Sequence, residues 1–198
     1  MENRKDHYYK KAKDEGYRAR SSYKLKQIQT KFKIIKPGDY VIDLGAAPGG
    51  WSQVAGELVK SKGKVIALDK NPMRSFQFDN IITLQMNMES PMLMQHLSTH
   101  FNKPINVVLS DLAGNVTGNW HLDSERQIHL ATMALRTAET VLNAGGNFVT
   151  KVFRGPSLNE FEEELKELFE FKKNWRPPAT RKNSAEEYII CKGFVKDE

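Results

Sequence analysis

The chain has 198 residues, of which 39% are hydrophobic and 27% charged, and 30 basic against 24 acidic residues give it a net charge of +6. This length predicts one domain with enough apolar residues for a packed core. A single cysteine excludes an internal disulfide framework or a cysteine-rich zinc module. No apolar run approaches the roughly 18 residues of a membrane span, and the N-terminus lacks an apolar signal segment. We therefore expect a basic cytoplasmic domain over residues 1–198.

The excess positive charge lies in the N-terminal segment. Residues 1–36 contain 12 basic and 4 acidic residues, whereas the remaining residues carry a net charge of −2. Four tyrosines interleave with that charge: Tyr8, Tyr9, Tyr17 and Tyr23. Because basic side chains neutralise phosphates and aromatic rings stack on bases, the segment predicts a helical extension that contacts nucleic acid. A solvated helix face is the alternative, while the acidic residues disfavour a mitochondrial transit peptide.

Apolar periodicity and turn residues predict alternating helices and strands. In chain order we expect a helix at 5–33, a strand at 40–44, a helix at 51–61, strands at 64–69 and 81–85, and a helix at 91–100. A strand at 105–110 follows, then a helix at 124–142 with Ser124 as N-cap and Gly145-Gly146 as its stop. A strand at 147–153, a helix at 157–169 and strands at 171–175 and 187–194 complete the chain. This alternation predicts an α/β fold with a mostly parallel sheet covered on both faces.

A glycine-rich loop follows the first predicted strand. Residues 43–51 read DLGAAPGGW, which matches neither the Gly-x-Gly-x-x-Gly dinucleotide fingerprint nor a phosphate-binding loop ending in Gly-Lys-Ser/Thr. Asp69 ends the next strand, where an acid can accept both hydroxyls of an adenosine ribose. Asp69 could instead cap a helix or turn, and Trp51 could be an ordinary core residue. The arrangement is typical of ligand binding at the carboxyl ends of parallel strands.

With these motifs the chain resembles the FtsJ/RrmJ (RlmE-like) family of ribosomal RNA 2′-O-methyltransferases from about residue 17 to residue 194. The segments that carry the resemblance are 18–25 (RARSSYKL), 43–52 (DLGAAPGGWS), 110–115 (SDLAGN), 148–153 (FVTKVF) and 176–188. The resemblance implies a class I S-adenosylmethionine-dependent methyltransferase fold of about seven strands, with the last strand antiparallel.

The resemblance also implies the site residues. The family's catalytic tetrad falls on Lys24, Asp111, Lys151 and Glu186, with Glu186 favoured over its neighbour Glu187 by the motif spacing. The residues implied for S-adenosylmethionine are Gly49, Trp51, Asp69, Asn87 and Asp111. Asn87 stands where many members have aspartate, and Gly114 stands where proline is common. An amide can both donate and accept hydrogen bonds, so Asn87 could still contact adenine with altered polarity.

The implied reaction is methylation of a ribose 2′-hydroxyl, of a uridine in large-subunit ribosomal RNA. Lys151 would orient and deprotonate the hydroxyl, or act mainly through hydrogen bonding and charge; the residue pattern leaves both open. RNA is expected to follow a path over Lys10, Lys11, Lys13, Arg18, Arg20 and Lys24, with Arg181 and Lys182 across the cleft. The five histidines lack a metal-binding spacing, so no metal is predicted.

Three other functions fit part of the pattern. The same transfer could act on transfer RNA or an mRNA cap, although the short chain lacks an evident cap-binding module. A non-catalytic RNA-binding assembly factor would not need all four tetrad residues. A nicotinamide-linked dehydrogenase is disfavoured by the glycine loop.

Overall fold

A single seven-stranded sheet organises the chain, in a computed structural model that describes residues 7–100 and 103–195. The strands are β1 Tyr40–Leu44, β2 Lys64–Asp69, β3 Ile81–Gln85, β4 Ile105–Ser110, β5 Leu142–Phe153, β6 Phe169–Trp175 and β7 Glu186–Phe194. Their order across the sheet is β3-β2-β1-β4-β5-β7-β6, and of all neighbouring pairs only those that involve β7 are antiparallel. The predicted mostly parallel architecture is confirmed.

Helices cover both faces of this sheet. They are α1 His7–Asp14, α2 Ser22–Phe32, α3 Gly50–Val59, α4 Leu93–His100, α5 Trp120–Val141 and α6 Leu158–Leu168. Successive strand residues point to opposite faces, so Val41 packs in a core with residues of α2 and α3, whereas Ile42 packs with residues of α4, α5 and α6. The strand order reverses between β1 and β4, which opens a crevice at their carboxyl ends.

The N-terminal basic segment forms two helices rather than the one helix predicted over 5–33. The described part of that prediction contains α1 and α2, separated by residues 15–21. Gly16 interrupts the helix with a φ of +76°, a left-handed conformation that glycine adopts without steric cost. Residues 5 and 6 lie outside the described residues.

The predictions around α5 are also wrong at both ends. The helix begins at Trp120, and Asn119 is its N-cap, accepting a hydrogen bond from the Leu122 amide at 3.2 Å. Ser124 instead lies buried inside the first turns, where its hydroxyl donates to the His121 carbonyl. The helix ends at Val141 without a glycine, because β5 already begins at Leu142 and pairs with Ile105.

Gly145 and Gly146 therefore lie within β5 and do not stop a helix. The register between β4 and β5 shifts at this point, which is where a strand accommodates extra residues as a bulge. Of the remaining helices and strands, β1 to β4 match their predicted bounds, and the bounds of the others differ by at most two residues. Within the described residues, no helix is long and apolar enough to cross a lipid bilayer.

Candidate active site

A cleft of about 350 Å³ opens at the carboxyl ends of β1, β2 and β4. Three of the predicted cofactor residues line it: Asp69, Asn87 and Asp111. Gly45 lies at its base with a φ of +72°, and a Cβ on this residue would come within 2.5 Å of the Leu112 side chain. Only glycine therefore allows the loop after β1 to pass this close to the segment after β4.

The lining of the cleft suits a ligand with a polar ribose and an apolar base. The carboxylate of Asp69 accepts hydrogen bonds from the Ala47 amide at 3.0 Å and from the Asn71 amide at 2.8 Å, which fixes its orientation at the end of β2. Asn87 is exposed at the rim and bonds to Glu89 through both its amide oxygen and its amide nitrogen. Apolar side chains complete the wall: Leu68, Met86, Met88, Leu112, Leu130 and Met133. Volume and lining together fit an adenosine-containing cofactor.

The other two predicted cofactor residues lie beside the cleft rather than in its lining. Gly49 is the N-cap of α3, and a Cβ on this residue would come within 2.6 Å of the Phe76 ring. Trp51 is only 2% exposed, and its indole nitrogen donates to the Ser21 carbonyl at 2.9 Å. Trp51 also lines a small cavity of about 50 Å³ that reaches Asp111. In this structure both residues shape the loop, while Gly45 and Ala47 form the lining that sequence reasoning missed.

Lys151 and Asp111 form a buried ion pair between neighbouring strands. Lys151 Nζ donates to the Asp111 main-chain carbonyl at 2.9 Å and to Asp111 Oδ1 at 3.1 Å. The two side chains are 4% and 17% exposed. The parallel pairing of β4 with β5 brings the two residues together. Ser110, the last residue of β4, pairs with Thr150, and Asp111 and Lys151 are the next residues along the two chains.

Lys24 and Glu186 form a second ion pair next to the first. Lys24 Nζ, near the start of α2, donates to Glu186 Oε2 at 2.6 Å. Glu187 points to the other side of β7 and pairs with exposed Arg154 instead. The geometry therefore agrees with Glu186, not Glu187, as the predicted tetrad carboxylate.

Tyr188 connects the two ion pairs into one network. Its hydroxyl donates to Asp111 Oδ1 at 2.7 Å and accepts from Lys24 Nζ at 3.1 Å. The ring is fully buried and packs on Trp51 with centroids 5.6 Å apart. The sequence interpretation did not include this residue in the site. Its position two residues after Glu186 was the available signal, since alternate strand residues share a face.

Electrostatics keep Asp111 ionised at neutral pH. Burial by itself would raise the pKa of this carboxyl, but the positive charges of Lys151 and Lys24 outweigh burial and hold the pKa below its usual range. Burial raises the pKa of Tyr188 well above its ordinary value, with the charges of Asp111 and Glu186 adding to the effect. Tyr188 therefore stays protonated and acts as a hydrogen-bond donor to Asp111.

Asp43 is a second buried acid beneath the network. It lies in β1 with no exposed surface, and Oδ2 accepts a 2.6 Å hydrogen bond from the Ser52 hydroxyl. Burial raises its pKa from 3.8 to about 7, and the nearby charges of Asp111 and Asp69 contribute in the same direction, against the Ser52 hydrogen bond. Asp43 therefore changes its protonation state near neutral pH.

We expect Asp43→Asn to flatten the pH dependence of stability between about pH 4 and pH 7. In this range folded Asp43 holds its proton while the unfolded chain has lost it, so the unfolding free energy falls as pH rises. The decrease amounts to about 1.4 kcal/mol for each pH unit inside the range. Denaturant unfolding of the wild type and the variant across this range measures the difference. The control is Asp79→Asn at an exposed position, which should leave this pH dependence unchanged. If the unfolding free energies of the wild type and Asp43→Asn changed in parallel with pH, the raised pKa of Asp43 would be contradicted.

The predicted RNA-binding residues fall into two groups. Lys10 and Lys13 are exposed on α1, and Arg181 and Lys182 are exposed on the loop between β6 and β7. The buried Ala12 of α1 packs with Ala179 of that loop, so these cations flank one surface. A cavity of about 410 Å³ joins this surface to the network, and its lining includes Arg20, Lys24, Arg181 and Glu186.

The remaining cations of that prediction have structural contacts. Lys11 Nζ lies 3.8 Å from a carboxylate oxygen of Glu15. The guanidinium of Arg18 donates to the carbonyls of Pro48 and Arg74 and stacks 3.9 Å from the Phe76 ring centroid. Arg20 donates to the Ala179 carbonyl at 2.7 Å. Arg18 therefore holds the segment after β2 against the glycine loop.

Residues 7–100 and 103–195 contain no group of three or more histidine, cysteine, aspartate or glutamate side chains arranged to hold a metal ion. Cys191 is a free thiol buried in β7.

Comparison with known proteins assigns the chain to a family. The model of the FtsJ-like methyltransferase family matches residues 17–194. The ribosomal RNA large subunit methyltransferase E of Methanothrix thermoacetophila is 47% identical, over 96% of this chain and 73% of that protein. The protein of the same name from Archaeoglobus fulgidus is 44% identical, over 99% of this chain and 100% of its own length.

A solved structure shares the fold. A ribosomal RNA methyltransferase from Plasmodium falciparum superimposes with a TM-score of 0.82 at 28% identity, covering 91% of this chain and 100% of that one. The seven-stranded sheet with its cleft is thus the class I methyltransferase fold. The chain belongs to the FtsJ-like methyltransferase family and is an S-adenosylmethionine-dependent methyltransferase.

Proposed function

We propose that the enzyme methylates the ribose 2′-hydroxyl of a uridine in large-subunit ribosomal RNA, either free or within an assembled subunit. The relatives named ribosomal RNA large subunit methyltransferase E support this substrate. Lys24, Asp111, Lys151 and Glu186 are the proposed catalytic residues, and Asp69, Asn87 and Asp111 the proposed cofactor contacts, with Gly49 and Trp51 shaping the loop.

The observation that carries the proposal is one continuous network between two cavities. Asp111 lines the cofactor cleft, whereas Lys24 and Glu186 line the cavity between the start of α2 and the loop after β6. Tyr188 joins the two ends by hydrogen bonds. A nucleotide entering from the basic side would therefore bring its ribose against two ammonium groups at the edge of the cofactor cleft.

The network suits a reaction in which a hydroxyl loses its proton. S-adenosylmethionine supplies an activated methyl group when bound in the cleft. Lys151 Nζ uses two N–H groups on Asp111, and its third position is an N–H in the ammonium form or a lone pair in the amine form. That position can stabilise a developing oxyanion or accept the hydroxyl proton. Lys24, fixed by Glu186 and Tyr188, places a second positive charge beside it.

The test is methyl transfer from labelled S-adenosylmethionine to unmodified large ribosomal subunits, free ribosomal RNA, transfer RNA and capped RNA, followed by nucleoside analysis. We expect label on 2′-O-methyluridine from large subunits or their RNA. Label confined to transfer RNA or to the cap would replace the substrate and keep the chemistry. Cofactor binding without transfer to any of the four acceptors would favour a non-catalytic RNA-binding factor.

The exposed lysines of α1 should contribute electrostatic affinity for RNA. We expect the double variant Lys10→Gln/Lys13→Gln to bind ribosomal RNA more weakly. The slope of log affinity against log salt should also fall by about 0.7 for each phosphate that the variant no longer neutralises. Filter binding at several salt concentrations measures the slope.

The matched control is Lys60→Gln/Lys62→Gln, which removes the same charge from the exposed turn between α3 and β2. Equal slopes for the wild type and the α1 variant would show that the charge of α1 does not contact RNA.

A further inference from the structure

A half-exposed tryptophan lies close to the proposed acceptor site. Trp120 is the first residue of α5 and is 49% exposed. One face of its ring system lies on Phe153, with centroids 6.2 Å apart and planes 15° from parallel. The stacking holds the indole in place while much of its surface faces solvent. Trp51, by contrast, is buried in the core.

The cavity beside Trp120 adjoins the cavity that contains Lys24. It encloses about 190 Å³ and is lined by Trp120, Arg154, Arg176, Glu186 and its two neighbours Ala185 and Glu187. Glu186 also lines the cavity of Lys24 and Arg181, so this side chain forms a wall that both cavities share. A strand of RNA with one ribose at Lys24 would have a neighbouring nucleotide within reach of Trp120.

The charges around this cavity suit a phosphate as well as a base. Both of its carboxylates are paired, Glu186 with Lys24 at 2.6 Å and Glu187 with Arg154 at 3.2 Å. Arg176 donates to the main-chain carbonyls of Arg181 and Lys182 at 2.8 Å and 3.0 Å. Those acceptors are neutral, so these two hydrogen bonds leave the positive charge of Arg176 in place.

We propose that Trp120 stacks on the base of a nucleotide next to the methylated one, with Arg176 beside a phosphate of the same strand. An aromatic ring accepts any base on its face, and a guanidinium next to it binds the backbone. The inference rests on the proposed function, because it takes RNA as the substrate. Trp120 is on this view a positioning residue: it holds the strand so that the acceptor ribose stays at the lysines.

The experiment uses the acceptor that the wild-type enzyme methylates: a synthetic RNA oligonucleotide centred on the target nucleotide, or large subunits reconstituted with RNA that carries this nucleotide. Stacking is worth enough that Trp120→Ala should lower kcat/KM by about 10-fold, mainly through KM, whereas Trp120→Phe should retain most of the activity. Affinity for S-adenosylmethionine should not change. The control is Phe171→Ala, which removes another exposed aromatic ring, on β6 outside the lining of the Trp120 cavity.

Abasic nucleotides separate stacking from a packing role of Trp120. At one position that flanks the target, an abasic nucleotide should lower the kcat/KM of the wild type by the same factor as Trp120→Ala does on intact RNA. On that abasic RNA, Trp120→Ala should cause no further loss of kcat/KM. The inference would be overturned if Trp120→Ala had the kcat/KM of the wild type. It would also be overturned if, at every flanking position, the losses of kcat/KM from the substitution and from the abasic nucleotide multiplied. Either result would leave the proposed function standing. Failure of the wild type to methylate any RNA would overturn the proposed function and the inference with it.

Discussion

Lys151→Met should reduce the rate of methyl transfer by at least about 100-fold, because it removes the group proposed to stabilise or deprotonate the reacting hydroxyl. Methionine fills a similar volume in the β5 strand but can neither donate to an oxyanion nor accept a proton. Affinity for S-adenosylmethionine should be largely retained, because the cofactor cleft is lined by Asp111 and not by Lys151 itself. Single-turnover transfer and titration calorimetry measure the two quantities separately.

Lys172→Met is the matched control for this substitution. Lys172 is also a largely buried lysine in a strand, on β6, where it pairs with Glu162 away from the network. Both variants lose a lysine from an ion pair, so both should lose stability, but only Lys151→Met should lose transfer. A Lys151→Met enzyme that turns over at the wild-type rate would rule out the proposed chemistry.

The sequence predicted best those strands whose residues are buried between clear turn signals. Strands β1, β2 and β4 match their predicted bounds because their buried apolar runs are bounded by glycine, proline or aspartate. Strand β3 also matches its predicted bounds, although only Ile81 of its five residues is buried. The start of β5 was missed because Gly145-Gly146 indicates a helix stop locally, whereas pairing of Leu142 with Ile105 depends on distant residues. Asn119, Asp123 and Ser124 are all of a residue type that caps helices, so the sequence alone did not distinguish among them and Ser124 was predicted. In the folded chain Asn119 is the N-cap of α5.

The candidate site shows the same division between local and tertiary information. Residues 24, 111, 151 and 186 are too far apart for any spacing rule, so their grouping came from resemblance to a family. Resemblance did not reveal the Tyr188 bridge, the protonation of Asp43 or the structural use of Arg18. Each of these depends on which groups are buried together. Such features arise from packing and cannot be read from residue order.

Asp111→Asn should cost about 3–5 kcal/mol of unfolding free energy, because it leaves the ammonium group of Lys151 buried without its carboxylate. The lysine side chain is 4% exposed and cannot reach solvent easily. Since the pKa of Asp111 is lowered in the folded state, its stabilisation is present above the ordinary aspartate value of 3.8 and is lost as pH falls below that value. The difference between wild type and variant should therefore narrow toward acid pH.

The double variant Asp111→Asn/Lys151→Met identifies the cause of that destabilisation. If an uncompensated charge is responsible, removing both charges should restore most of the stability at neutral pH, because a neutral pair has no buried ion. Transfer should stay absent, because the restored stability brings back neither the lysine nor the carboxylate. Denaturant unfolding of the wild type, both single variants and the double variant gives the coupling energy directly. A double variant no more stable than Asp111→Asn would mean that Asp111 stabilises the fold through Tyr188 and the loop after β4, not through its charge.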